Sequence, residues 1–144
     1  MNPTWTETEL AYLAGIVDGE GCISISTSRK HEGCRLEVVN TDPRLIEWIH
    51  ERFGGTIRLR DDRPAHQKSI WYWFAGVQTA ADILLALLPY LVIKRAQATL
   101  LLEYRVTVNT ERDVIHQVLP NEVRQHRAEL KSQLMILNRK GVAV

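Results

Sequence analysis

No stretch of this sequence stays apolar for eighteen residues, so nothing in it reads as a membrane-spanning helix. The nearest approach, Ile83 to Val92, is too short and carries Pro89. The N-terminus lacks the basic-then-apolar pattern of a secretory signal. The expectation is a soluble intracellular protein, cytoplasmic or organellar if the gene is organelle-encoded. Cysteine is scarce too: Cys22 and Cys34 make neither a disulfide framework nor a zinc set, and both read as ordinary reduced thiols. The five histidines include no ligand-spaced pair, and there is no internal repeat or low-complexity linker. Net charge is nearly missing as well, at +1, where chains that bind nucleic acid are usually more basic. Its distribution says more. Met1 to Gly21 holds four acids and no Lys or Arg, Cys22 to Lys68 holds nine basic residues against seven acids, and Thr110 onward holds six against four. The middle segment is the basic one.

What is there suffices for one domain with a single sizeable core over the 144 residues. The chain is organised around LAYLAGIVDGEGCISIS, Leu10 to Ser26. Leu10, Leu13 and Val17 recur at helical spacing and predict a helix over about 8–19, while Ala11, Ala14 and Gly15 give it a small, smooth side. Small residues one turn apart let two helix backbones approach closely. The helix stops at Asp18-Gly19-Glu20-Gly21, where one glycine suits a left-handed closing position and another lets a backbone or ligand come near. The period then changes to two, with Ile23 and Ile25 alternating against Ser24 and Ser26, so the helix delivers two carboxylates to the mouth of a sheet. Solvated acids at a helix C-cap are one reading. Acids suit that end poorly, because it already carries partial negative charge, and a nearby hard cation is the other reading.

Thr6 or Thr8 can cap this first helix. Strands follow at about Cys22 to Ser28 and Cys34 to Val39, read as a hairpin with Arg29, Lys30 and His31 at its tip. Asn40-Thr41-Asp42-Pro43 starts a helix to Phe53 with apolar Leu45, Ile46, Ile49 and Phe53, ended by Gly54-Gly55. Two more strands are predicted at Thr56 to Leu59 and Lys68 to Ala75. Helices then run from Thr79, as cap, to Leu88, from about Val92 to Thr107, and over about 121–138. The order is α+β: α-β-β-α-β-β-α with a four-stranded antiparallel sheet, helices on one face, and a further C-terminal helix. By parity the opposite face offers Ser24, Ser26, Ser28, Arg35, Glu37, Arg58, Arg60, Lys68 and Tyr72, while Trp71 and Trp73 point into the core. A twisted ribbon of this kind fits a DNA major groove, with Arg29 and Lys30 reaching phosphates or base edges. Lone surface arginines are otherwise simply solvated.

Leu13-Ala14-Gly15-Ile16-Val17-Asp18-Gly19-Glu20-Gly21 closely resembles the nine-residue signature of the LAGLIDADG homing endonucleases. The hairpin, the Asn40-Thr41-Asp42 helix start, the segment PYLVIKR from Pro89 to Arg95 and the closing Leu137-Asn138-Arg139-Lys140-Gly141 extend the resemblance over nearly the whole chain; Asn109 to Leu119 is least clear. The resemblance implies the saddle-like sheet of that fold and a site-specific double-stranded DNA endonuclease using Mg²⁺ or Mn²⁺. Such enzymes leave short 3′ overhangs and are commonly encoded in mobile introns or inteins. It implies Glu20 as the metal-binding acid, here Glu where Asp is commoner, and Asp18 as a structural acid capping a partner helix. It implies Lys94 as the basic residue near the cleaved bond, and Asn40, Thr41 or Asp42 as the group that positions water, although Thr41 serves equally as a helix cap. A single signature copy implies a homodimer meeting through Ala11, Ala14, Gly15 and Asp18, with neither membrane nor small-molecule substrate. The alternative reading of that small face is packing inside its own domain. The alternatives for function are a cleavage-inactive protein of the same fold, an RNA maturase or transcription regulator, and an α+β interaction module that binds no nucleic acid.

Overall fold

The computed structural model describes residues 4–28, 32–62, 64–108 and 119–139. Helix α1 (Glu7–Glu20) leads into strands β1 (Gly21–Ser26) and β2 (Gly33–Asn40), followed by α2 (Pro43–Phe53), β3 (Thr56–Arg60) and β4 (Ile70–Ala75). Three helices complete the described chain: α3 (Val77–Leu87), α4 (Arg95–Val106) and α5 (Asn121–Leu137). The four strands form one antiparallel sheet in the order β1-β2-β4-β3. This is the expected α+β architecture. The hairpin tip with Arg29, Lys30 and His31, the segment 109–118 and the closing Lys140 and Gly141 lie outside the described residues.

Period-two alternation sorts the sheet as expected. Ile23, Ile25, Leu36, Val38, Trp73 and Ala75 are buried, under Leu13 and Val17 of α1, Ile46 and Ile49 of α2, Ile83, Leu84 and Leu87 of α3, and Leu101 and Tyr104 of α4. Trp73 anchors this layer. Its indole is fully buried and its N–H donates to the Gly54 carbonyl at 2.7 Å, so truncation to Ala would cost about 3–5 kcal/mol. The α2–β3 turn accommodates it through Gly55, at φ +86°, where a Cβ would stand 2.6 Å from the indole nitrogen. Only glycine meets both demands. Helix α5 is held from below by Arg127, 3% exposed, whose guanidinium pairs with Glu32 at 3.1 Å, donates to Thr107 and lies 4.8 Å over the Tyr104 ring.

Several boundaries differ from expectation, each for a physical reason. Thr6 caps α1 by accepting from the Glu9 N–H at 3.1 Å, and α1 runs on through Glu20. Gly21 then closes the helix in extended backbone at φ −77°, not in the left-handed region. A Cβ there would stand 2.8 Å from the Val17 Cα and carbonyl oxygen, so close approach to its own helix demands this glycine. Thr79 does not cap α3. The helix starts at Val77 straight after β4, because its apolar period (Val77, Ala80, Ala81, Leu84) begins there, and its cap position is Gly76. Helix α4 starts at Arg95 rather than near Val92, because a side chain of α1 captures the preceding backbone. Strand β4 starts at Ile70, the last residue that β3 pairs with, which leaves Lys68 in the loop.

Candidate functional site

The last turn of α1 and the start of α4 cap one another. The Asp18 carboxylate accepts the backbone N–H groups of Val92 (2.9 Å), Ile93 (3.1 Å) and Lys94 (2.9 Å). These N–H groups belong to the turn that leads into α4, the last at its N-cap position, so the carboxylate also faces the positive end of that helix dipole. In return, the Lys94 ammonium donates to the Val17 carbonyl at 3.0 Å, which also accepts the Gly21 N–H, and to the Gly21 carbonyl just past the end of α1. Burial pushes the Lys94 pKa down, against the opposing influence of Cys22 and Asp18. Within this chain the Asp18 carboxylate is engaged by the backbone that leads into α4; the resemblance implied a structural acid capping a partner helix. Val92 and Ile93 are left with their side chains 85% and 68% exposed.

Glu20, two residues on, is exposed and points elsewhere. Its Oε2 accepts from Asn40 Nδ2 at 2.9 Å, and Asn40 Oδ1 accepts the Asp42 N–H at 2.8 Å, which fixes the carboxamide. The end of β2 thus holds the Glu20 rotamer. Of the three candidates here, Asn40 alone touches Glu20 among the described contacts. Thr41 is exposed at the bend and is not the cap. Asp42 caps α2, accepting the Arg44 N–H at 2.9 Å, and Arg44's guanidinium 2.6 Å away helps lower its pKa to about 2. Beside Glu20 an open groove runs along α1, lined by Ala11, Tyr12, Gly15, Ile16, Gly19 and Leu45. A Cβ added at Gly15 or Gly19 meets nothing within 4 Å, so the chain's own packing does not require these glycines. Ala14 departs from the expected set: it is 1% exposed and belongs to the core, because α1 turns it with Leu13 and Val17 toward the sheet. Among the described residues no three His, Cys, Asp or Glu gather into a metal-binding group.

The uncovered sheet face carries the expected polar residues. Ser24, Arg35, Arg58 and Arg60 are exposed, Ser26, Glu37 and Tyr72 half-buried, and Ser28 lies just past β1. Arg35 pairs with Glu37 at 3.7 Å; Tyr72 and then Asp62 raise the pKa of Arg60. Lys68 sits off the strand ladder. Phe74 was missed, although it shares the parity of Tyr72: Arg35 and Arg58 lie 4.3 and 5.5 Å from its ring centroid. Cys22 is on this face too, its thiol pushed up by burial and by Glu37, whereas Cys34 is buried with its pKa pushed up to about 12.

Comparison with known proteins matches this arrangement. The crystal structure of the homing endonuclease I-CvuI in complex with its target superposes with a TM-score of 0.74 at 26% identity, covering 95% of this chain and 87% of that one. A probable intron-encoded endonuclease of Debaryomyces hansenii is 37% identical over 54 residues. The chain has the fold of the LAGLIDADG homing endonucleases. The archaeal homing endonuclease I-Vdi141I, complexed with DNA, shares this family fold with a TM-score of 0.72 at 17% identity, covering 94% of this chain and 87% of that one. An intron-encoded RNA maturase of Saccharomyces cerevisiae is 37% identical to this chain over 49 residues. The matches to the two fungal proteins cover 38% and 34% of this chain but 8% of either relative, which are far longer. No family model matches. Among the described residues no helix is long and apolar enough to cross a membrane.

Proposed function

We propose that this chain is a homodimeric, site-specific endonuclease of double-stranded DNA that depends on Mg²⁺ or Mn²⁺. The observation that carries the reading is the Glu20 carboxylate, exposed at the end of α1 and held by Asn40, while Asp18 beside it is consumed by backbone capping. Hard cations take oxygen ligands, which suits Glu20, but one carboxylate is too few for a divalent site. A second copy meeting this one across Ala11, Gly15 and Gly19 would bring a second Glu20 beside the first. The isologous contact explains why those positions are small when nothing in the chain crowds them. The bound cation supplies polarisation of the phosphate and activation of a water.

The protein's own residues do the positioning. Asn40 fixes Glu20, and Asp42, through its N–H, fixes Asn40. Lys94 locks Gly21, the residue after Glu20, which keeps the carboxylate at a set distance from the sheet and brings a cation close to the site. Thr41, exposed at the adjoining bend, is available to hold water. The uncovered sheet face, with Ser24, Ser26, Ser28, Arg35, Glu37, Arg58, Arg60 and Tyr72, takes the major groove, with Lys68 at its margin. I-CvuI, solved in complex with its target, supports DNA as the partner.

The test is a cleavage selection on randomised duplex DNA with Mg²⁺, run beside Glu20→Gln, with light scattering for the mass. Cuts lost in the variant and a doubled mass are expected. Tight, uncut binding by both proteins would replace the nuclease with a regulator, and a monomer at working concentration would remove the shared site. Similarity to the yeast maturase favours one second reading, an intron RNA partner, which would show as selective RNA binding that duplex DNA does not compete.

A further inference from the structure

Phe74 lies on the uncovered face near Ser24, Arg35, Glu37 and Arg58, on β4, an inner strand of the sheet. Register places Glu37 of β2 and Thr56 of β3 directly opposite it. The two arginines reach it from opposite diagonals: Arg35 from beyond Glu37, at 4.3 Å, and Arg58, paired with Tyr72, at 5.5 Å. Open depressions on either side share Arg35, Glu37, Arg58 and Phe74 as lining. A guanidinium stacked on a ring has its flat face occupied and its N–H fork directed along its edge, with much of its rotamer freedom already lost. Glu37, 3.7 Å from Arg35, makes this spot unfavourable for a phosphate and leaves a neutral base edge as the better partner.

We propose that Phe74, Arg35 and Arg58 form one base-reading unit that selects thymine at one position of each half-site, with guanine one or two base pairs away on each side. The inference rests on the DNA reading above and narrows it. The major-groove edge of thymine presents a methyl group, which a ring takes and a polar side chain does not; guanine presents O6 and N7, the pair that a guanidinium fork matches. The spacing agrees, since stacked separations of 4–6 Å correspond to one or two steps of about 3.4 Å along a strand. The unit is built for DNA rather than RNA, because uracil lacks the methyl and an A-form major groove does not admit side chains.

The experiment is a binding selection from a randomised duplex library at fixed salt, sequenced for the unsubstituted protein, Phe74→Ala, Phe74→Leu and Arg58→Leu. The expected matrix has a thymine column near guanine columns. Phe74→Ala loses about fourfold of the thymine preference, the worth of one buried methyl, Phe74→Leu keeps it, and Arg58→Leu loses about tenfold or more at one guanine column. Replacing that thymine with deoxyuridine in a single selected site weakens the unsubstituted protein about fourfold and Phe74→Ala not at all. An unchanged matrix in Phe74→Ala, a uniform fall across all columns, or equal deoxyuridine effects in both proteins would overturn the base-reading unit while leaving DNA binding intact. No enrichment by the unsubstituted protein overturns the DNA reading itself, and the unit with it.

Discussion

Asp18 and Glu20 stand two residues apart on the last turn of α1, and their surroundings differ in kind. Three backbone N–H groups from the start of α4 converge on Asp18, and Lys94 returns the bond to the end of α1. That junction is complete within one chain. At the other corner one carboxamide reaches Glu20, the carboxylate is exposed, and an open groove lined by unneeded glycines runs beside it. A saturated acid stabilises a fold. An acid held in place but left under-coordinated is suited to a ligand from outside the chain. The same signature supplies both because helical geometry sends side chains two apart to different sides of the helix.

The contrast is sharpest in Glu20→Gln. It should slow cleavage by about a thousandfold or more, the equivalent of about 4 kcal/mol of lost charge stabilisation, with the melting temperature essentially unchanged. Single-turnover cleavage and a thermal melt check both halves, and a rate within tenfold of the unsubstituted protein would erase the distinction. Asp18→Ala should behave in the opposite sense. Losing the cap is worth about 2 kcal/mol, or a fall of about 4–8 °C in a chain of this size, read by calorimetry. Unchanged melting would mean that the α1–α4 junction does not depend on that carboxylate.

Asn40→Ala tests whether holding Glu20 matters. A single charge-assisted hydrogen bond is worth about 1.5 kcal/mol, so cleavage should slow about tenfold, with a smaller change in DNA affinity. The smallest effect belongs to the exposed cap of α2. The Asp42 pKa, held at about 2 by Arg44, lies below its unfolded value near 3.9. Its stabilisation is therefore complete above that unfolded value and is lost as the pH falls toward about 2. Urea midpoints at pH 5 and pH 2.5 should separate further for the unsubstituted protein than for Asp42→Asn, and an equal separation would remove Asp42 from the acid response.

Much of the fold was legible because its signals are local. Ile23 and Ile25 against Ser24 and Ser26, Pro43 after a capping acid, and Gly54-Gly55 after Phe53 each depend on neighbours within a few residues, and each element stands where they predict. The errors share a cause. Thr79 has the chemistry of a cap, yet the apolar period from Val77 overrides it; the helical run from Val92 is shortened by an acid more than seventy positions away in sequence.

By itself the sequence determined the order of the elements, the parity that separates Trp73 from Tyr72, and the family signature with Glu20 in its last acidic position. These are properties of spacing. Tertiary structure alone decided that Asp18 is engaged by the backbone leading into α4, that Ala14 turns to the core while Ala11 and Gly15 do not, that Lys94 meets the end of α1, and that Asn40 rather than Thr41 reaches Glu20. It also placed Phe74 between two arginines from different strands. Each of these depends on the angle at which separate elements meet, and that angle is set by core packing around Trp73 and Leu84 rather than by any residue's neighbours in the chain.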